Sequence, residues 1–165
     1  MFSYIICVAA LMESFPSGAS QGYLKKLGND YPERMNVCQR VYEAAEKHEI
    51  EPEILVSIAY QETAMRGWLV GGAGEKGPLQ VIPKYSSKKC KKNFKKCDWI
   101  SEGAMIFKRW LAIKKSLPKA LIHYNAGNIS NRKARAYSRK IMKRIYKLRL
   151  IMKHASLQTK SQLLH

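Results

Sequence analysis

The sequence predicts a mainly α, single-domain protein with little or no sheet. Apolar residues recur at helical spacing in several separate stretches. Pro, Ser, Asp and Asn stand where those helices would begin, and no alternating run longer than a few residues reads as a strand. A chain of 165 residues, 46% of them hydrophobic, has enough material for one core and is too apolar to be disordered.

The N-terminal run from Phe2 to Met12 is apolar. It is too short to span a bilayer but suits the h-region of a signal peptide. Ser17-Gly18-Ala19 or Gly18-Ala19-Ser20 offers a small-residue cleavage site, so residues 1–20 are expected to be a signal peptide. No Lys or Arg precedes the run, which leaves a buried N-terminal helix as the alternative. Residues 21–35 are polar at first and contain Gly, and they read as a lead-in.

A first helix is expected from about Asn36 to His48, with Val37, Val41, Ala44 and Ala45 on one side. His48-Glu49 begins like a zinc-protease motif, but Pro52 follows and there is no second His, so no metal site is expected. Pro52 is well placed to open the next helix. Ile54, Leu55, Ile58 and Ala59 form its stripe, and Glu62 falls at i+4 from Ile58 and i+3 from Ala59, on the apolar face. A carboxylate held there is destabilised in its charged form, and its pKa rises. The same pattern also fits a Glu at a fraying helix end that turns to water.

Gly72-x-Gly74-x-x-Gly77 matches the dinucleotide fingerprint in letters, but Pro78 and Pro83 follow where a helix is needed. Pro78 also stands where a phosphate loop needs Lys. The glycines therefore read as tight turns that carry Gln80. Cys90 and Cys97 flank the run Lys91-Lys92-Asn93-Phe94-Lys95-Lys96, and a disulfide across it is expected. A metal site is the rival, without zinc-ligand spacing or a nearby His to support it. Asp98 or Ser101 is placed to cap a helix carrying Ile100, Ala104, Phe107 and Leu111. Ala120 to Tyr124 form a short helix ended by Asn125-Ala126-Gly127. Ser130 is read as the start of a long helix with Ala134, Tyr137, Ile141, Ile145 and Leu148 on one stripe. From residue 153 to 165 the pattern fades into an expected flexible tail.

Net charge is +18, from 30 Lys+Arg against 12 Asp+Glu. Such a balance predicts an anionic partner or surface. The aromatics are not interleaved with the basic runs as in a stacking platform, so nucleic acid is not the expected partner.

Glu62-Thr63, then Gly77-Pro78-Leu79-Gln80, then His123-Tyr124-Asn125-Ala126-Gly127 together resemble the soluble lytic transglycosylase (SLT) domain family. Its pattern is an acidic residue with Ser/Thr, an Ala-Gly-Ala-x-Gly-Leu-Met-Gln loop and an Ala-Tyr-Asn-Ala-Gly block. The resemblance runs from about Val37 to Leu148. It implies a lysozyme-like fold with a substrate cleft and no cofactor. The activity it implies is cleavage of the β-1,4 bond between MurNAc and GlcNAc in peptidoglycan, leaving a 1,6-anhydro-MurNAc end. By the same resemblance Glu62 serves as single general acid/base and Thr63 orients it. Gln80 contacts the N-acetyl groups, Tyr124 lines the cleft, Asn125 fixes its turn, and Tyr137 flanks the cleft. The chain departs from the pattern at Pro78-Leu79, at Met65-Arg66-Gly67 and at His123, which stands in place of Ala and is expected to pack outside the cleft. A small basic domain of this kind looks most like the versions encoded by phages or serving secretion machines. That implies a monomer working in the periplasm, the cell envelope or a virion.

Two other readings stay open. A goose-type lysozyme shares the fold but hydrolyses, using a second carboxylate to position water; Glu75, beside Lys76, is a poor candidate for that base. A basic protein that binds nucleic acid or the envelope without catalysis is the reading from a different class.

Overall fold

The computed structural model describes residues 2–12 and 30–162. Among them the α-helices are α1 (Phe2–Met12), α2 (Tyr31–Lys47), α3 (Pro52–Thr63), α4 (Lys88–Lys92), α5 (Trp99–Lys114), α6 (Leu117–Ala126) and α7 (Arg132–Gln162), with 3-10 turns at Pro83–Tyr85 and Phe94–Lys96. No strand occurs among the described residues; a single antiparallel bridge joins Lys76 to Val81.

Helix α3 is the centre. Pro52 opens it, its missing N–H falling where no intrahelical partner exists. Residues Ile54 to Ala59 are all buried, so the helix is enclosed on every side rather than along the stripe alone. Helices α1, α2 and α7 pack around it, and α6 packs between α5 and α7 beside it. Arg149 of α7 donates to Glu53 at 2.7 Å and also pairs with Glu51, fastening the long helix to the start of α3. His48, just past α2, bonds Ser101 of α5 at 2.7 Å.

Helix α1 lies in the core, with Ile6, Cys7, Ala10 and Leu11 essentially inaccessible, and Cys7 is bonded to Cys38 of α2. The expected cleavage sites at 17–20 lie outside the described residues. Cleavage there would remove α1 and the partner of Cys38. The second disulfide joins Cys90 to Cys97. Buried Glu102 accepts from the Ser87 N–H at 2.8 Å and the Ser87 hydroxyl at 2.6 Å, holding the lysine-rich segment against α5.

Three boundaries differ from expectation. Helix α2 starts at Tyr31, five residues before Asn36, because Pro32 serves its first turn and Arg34 and Met35 are buried. Residues 31–35 are thus helix and not lead-in. The side chain of Asn131, not Ser130, caps α7, accepting from the Ala134 N–H at 2.9 Å. Helix α7 continues through the expected tail to Gln162, since nothing between Lys153 and Gln162 breaks a helix. For α5, Asp98 and not Ser101 is the cap, accepting from the N–H groups of Ile100 and Ser101.

Candidate active site

Helix α3 ends at Thr63, and Ala64 and Met65 both turn left-handed, at φ 51° and 65°. Such a turn is strained for residues with a Cβ and persists only when its surroundings hold it. Here Met65 is fully buried, and the guanidinium of buried Arg34 donates to the Ala64 carbonyl at 2.8 Å. The last turn of α3 is therefore fixed, and Glu62 sits on it.

The carboxyl of Glu62 accepts from the Tyr137 hydroxyl of α7 at 2.6 Å. Burial pushes its pKa up from 4.5 to about 6; the Tyr137 hydrogen bond opposes the shift and the charge of Glu75 adds to it. Tyr137 is held well above its usual range by burial and by the facing Glu62, so its phenol remains a donor. Glu62 lines a cleft of about 520 Å³ together with Glu75, Gln80, Ile106, Arg109 and Asn125.

The loop from Gly71 to Val81 reaches the cleft by a close approach to α5. A Cβ on Gly103 would lie 2.6 Å from the Cβ of Leu79, so only glycine lets the loop settle there. Gly77 adopts φ +71° with Trp99 directly behind it, a turn that a side chain would strain and crowd. Gln80 follows at φ 49°. Its amide nitrogen donates to the carbonyls of Gly77 at 3.0 Å and Leu69 at 3.3 Å. That fixes the amide's orientation: Nε2 faces the loop, and Oε1 lies over Gly71, where a Cβ would come within 2.6 Å of it. The Glu75 carboxyl sits over the same glycine and accepts from the Ala73 N–H at 2.9 Å.

Tyr124 of α6 donates to the Leu79 carbonyl at 2.7 Å and packs edge-on against Phe107. Burial, with the Glu62 charge, raises its pKa well above the ordinary value. It braces the loop that carries Gln80. Asn125, one residue on, is exposed on the cleft wall. His123 also lines the cleft, contrary to expectation, stacked on Trp110 at 5.3 Å with its Nδ1 donating to the Gly127 carbonyl at 2.6 Å.

Thr63 directs its hydroxyl at backbone carbonyls and not at the acid. Its side chain is buried away from the cleft, and its hydroxyl is shared between the carbonyls of Ala59 at 3.2 Å and Pro78 at 3.3 Å. The next residue along a helix points about 100° away, so Thr63 clamps the loop to α3 while Glu62 faces the opening. Tyr137 holds the acid instead. The cleft also takes in Glu75, weighed in the sequence only as a poor water-positioning base, and Arg109 and Trp110, which carried no motif. Among the described residues the one candidate metal-ligand cluster is Cys90, Cys97 and Glu102, whose sulfurs are joined to each other and whose carboxylate is bonded to Ser87.

A family model described as the transglycosylase SLT domain matches residues 39–147. The chain belongs to that family. The matched span runs from within α2 to within α7 and takes in Glu62, the glycine loop and the α6 block. Membership carries a transglycosylase-type activity on the glycan strands of peptidoglycan. Comparisons with curated proteins and with solved structures gave no significant match.

Proposed function

We propose that the SLT domain cleaves the MurNAc-β-1,4-GlcNAc bond with formation of 1,6-anhydro-MurNAc, with Glu62 performing both proton transfers. The observation that carries this is the half-buried Glu62 carboxyl, hydrogen-bonded by Tyr137, raised to about pKa 6 and lining the cleft. A group of that pKa is protonated often enough to act as an acid and ionised often enough to act as a base near neutral pH.

In the first step protonated Glu62 gives its proton to the glycosidic oxygen as the bond to the MurNAc C1 breaks, and GlcNAc leaves with a free 4-hydroxyl. The Glu62 carboxylate formed is stabilised by the Tyr137 hydroxyl. It then removes the proton from the MurNAc 6-hydroxyl as O6 closes on C1. The acid is regenerated and no water is consumed. Gln80 Oε1, left free because Nε2 is committed to the loop, accepts from an N-acetyl N–H. Asn125 contacts the sugar from the other wall. Tyr124 positions the loop rather than touching the reacting atoms.

Two disulfides support an oxidising compartment, so the proposed setting is the periplasm or cell envelope, or a phage virion or secretion apparatus that opens the wall. The test is clearing of purified peptidoglycan followed by product mass. Wild type should clear the suspension and yield fragments lighter by one water than hydrolysis gives. Glu62→Gln should bind but not clear.

One observation favours a second reading. Glu75 lies in the same cleft and close enough to raise the pKa of Glu62. As a base on a water molecule it would turn the reaction to hydrolysis. A product with a reducing MurNAc end, lost in Glu75→Gln, would establish that alternative.

A further inference from the structure

All 12 carboxylates precede Gly103, whereas 16 of the 30 Lys and Arg follow Glu102. Helix α7 holds 11 of those cations and no acidic residue. Its inner stripe, Ala134, Tyr137, Ile141, Ile145 and Leu148, is buried against the core. The outer face of its distal half carries large apolar side chains in the open: Tyr146 is 65% exposed, Leu150 41% and Leu157 55%. At 100° per residue these three fall within about 40° of one another around the helix, and with the exposed Arg139, Lys143 and Lys153 the arc widens to about 80°.

Leu150, Lys153 and Leu157 lie beyond residue 147, where the match to the SLT family stops. None of the described side chains of α7 lines the substrate cleft. This face therefore has no part in holding the scissile bond. No helix among the described residues is long and apolar enough to cross a membrane; a helix with apolar and cationic side chains on one arc can instead lie on its surface.

We propose that the outer face of α7 from Arg139 onward docks the enzyme on an anionic phospholipid bilayer, with Arg139, Lys143 and Lys153 at the headgroups and Tyr146, Leu150 and Leu157 entering the interface. Charge alone would suit any polyanion. The apolar side chains on the same arc select a partner with apolar depth, which a hydrated glycan strand or a nucleic acid lacks and a bilayer has. Large exposed apolar groups ringed by cations otherwise have no evident reason to stand clear of the core. The inference does not depend on whether the cleft transglycosylates or hydrolyses.

The test is co-sedimentation of the full chain with phosphatidylglycerol/phosphatidylcholine vesicles, with pure phosphatidylcholine vesicles, and with purified peptidoglycan, at physiological salt. Wild type should bind the anionic vesicles and not the neutral ones. The triple variant Tyr146→Ser/Leu150→Ser/Leu157→Ser should bind the anionic vesicles about tenfold or more weakly, and Arg139→Gln/Lys143→Gln/Lys153→Gln should lose binding as well. Both should keep wild-type activity on soluble glycan fragments and wild-type helical circular dichroism. Undiminished vesicle binding by the serine variant would overturn the proposal, because charge alone would then account for adsorption. Absence of vesicle binding by the wild type would overturn it too, as would loss of peptidoglycan binding in the serine variant with vesicle binding intact.

Discussion

Replacing Glu62 with Gln should stabilise the folded protein at neutral and alkaline pH while abolishing activity. The unfolded carboxyl loses its proton near 4.5 and the folded one near 6. Between those values the folded state binds more protons than the unfolded state, so stability falls as pH rises through the window and levels off above it. The difference of about 1.5 units corresponds to about 2 kcal/mol at pH 8. Gln keeps the shape, stays neutral and still offers Tyr137 an oxygen. Wild type and Glu62→Gln should therefore have nearly equal unfolding free energies at pH 4. At pH 8 the variant should be more stable by about 2 kcal/mol, measured by guanidinium titration with both disulfides intact. A difference independent of pH, or a variant less stable at both values, would refute the idea that Glu62 is strained by burial.

Three further predictions follow from the same contacts. Tyr137→Phe removes a hydrogen bond that favours the ionised acid, and Glu75→Gln removes a charge that disfavours it. The alkaline limb of kcat/KM should accordingly move up in the first and down in the second, by roughly half a unit to one unit, in pH profiles on soluble glycan fragments. Thr63→Val leaves the buried carbonyl of Pro78 without its donor and should cost about 1 kcal/mol, seen in denaturant melts, with a fall in kcat as the Gln80 loop loosens. On loop entropy alone, removing the Cys90–Cys97 bridge should cost about 2.5 kcal/mol and the Cys7–Cys38 bridge about 3.7 kcal/mol. Their sequence separations are 7 and 31 residues, and thermal melts of the paired Cys→Ser variants give the order.

The helices were legible because their apolar spacing is dictated by the core they enclose. Pro52, Asp98 and Gly127 marked ends that the structure keeps, since each removes or satisfies a backbone group at a terminus. The start of α2 and the length of α7 were not legible. Arg34 and Met35 look polar or isolated in sequence and are buried only through tertiary contacts, and the distal half of α7 carries a pattern with its apolar side chains facing out. At the site, Glu62 was marked by its place at the end of a stripe and Gln80 by its glycine loop. The partner of the acid was not, because a hydrogen bond across 75 residues depends on how α7 crosses α3. The direction of the Thr63 hydroxyl was not legible either: the resemblance implied a bond to Glu62, whereas helical rotation sends the two side chains to different surroundings. Glu75 shows the converse, a residue with no motif of its own brought into the cleft by the turn that Gly71 to Gly77 makes.

The most direct test of the central claim, that Glu62 alone carries both protons and no water enters, is digestion of purified peptidoglycan in 18O-labelled water with mass analysis of the released fragments. Anhydro-MurNAc ends without incorporated label are expected from wild type and are expected to be absent with Glu62→Gln. Reducing MurNAc ends carrying one 18O atom would contradict that claim and make Glu62 the acid of a hydrolase.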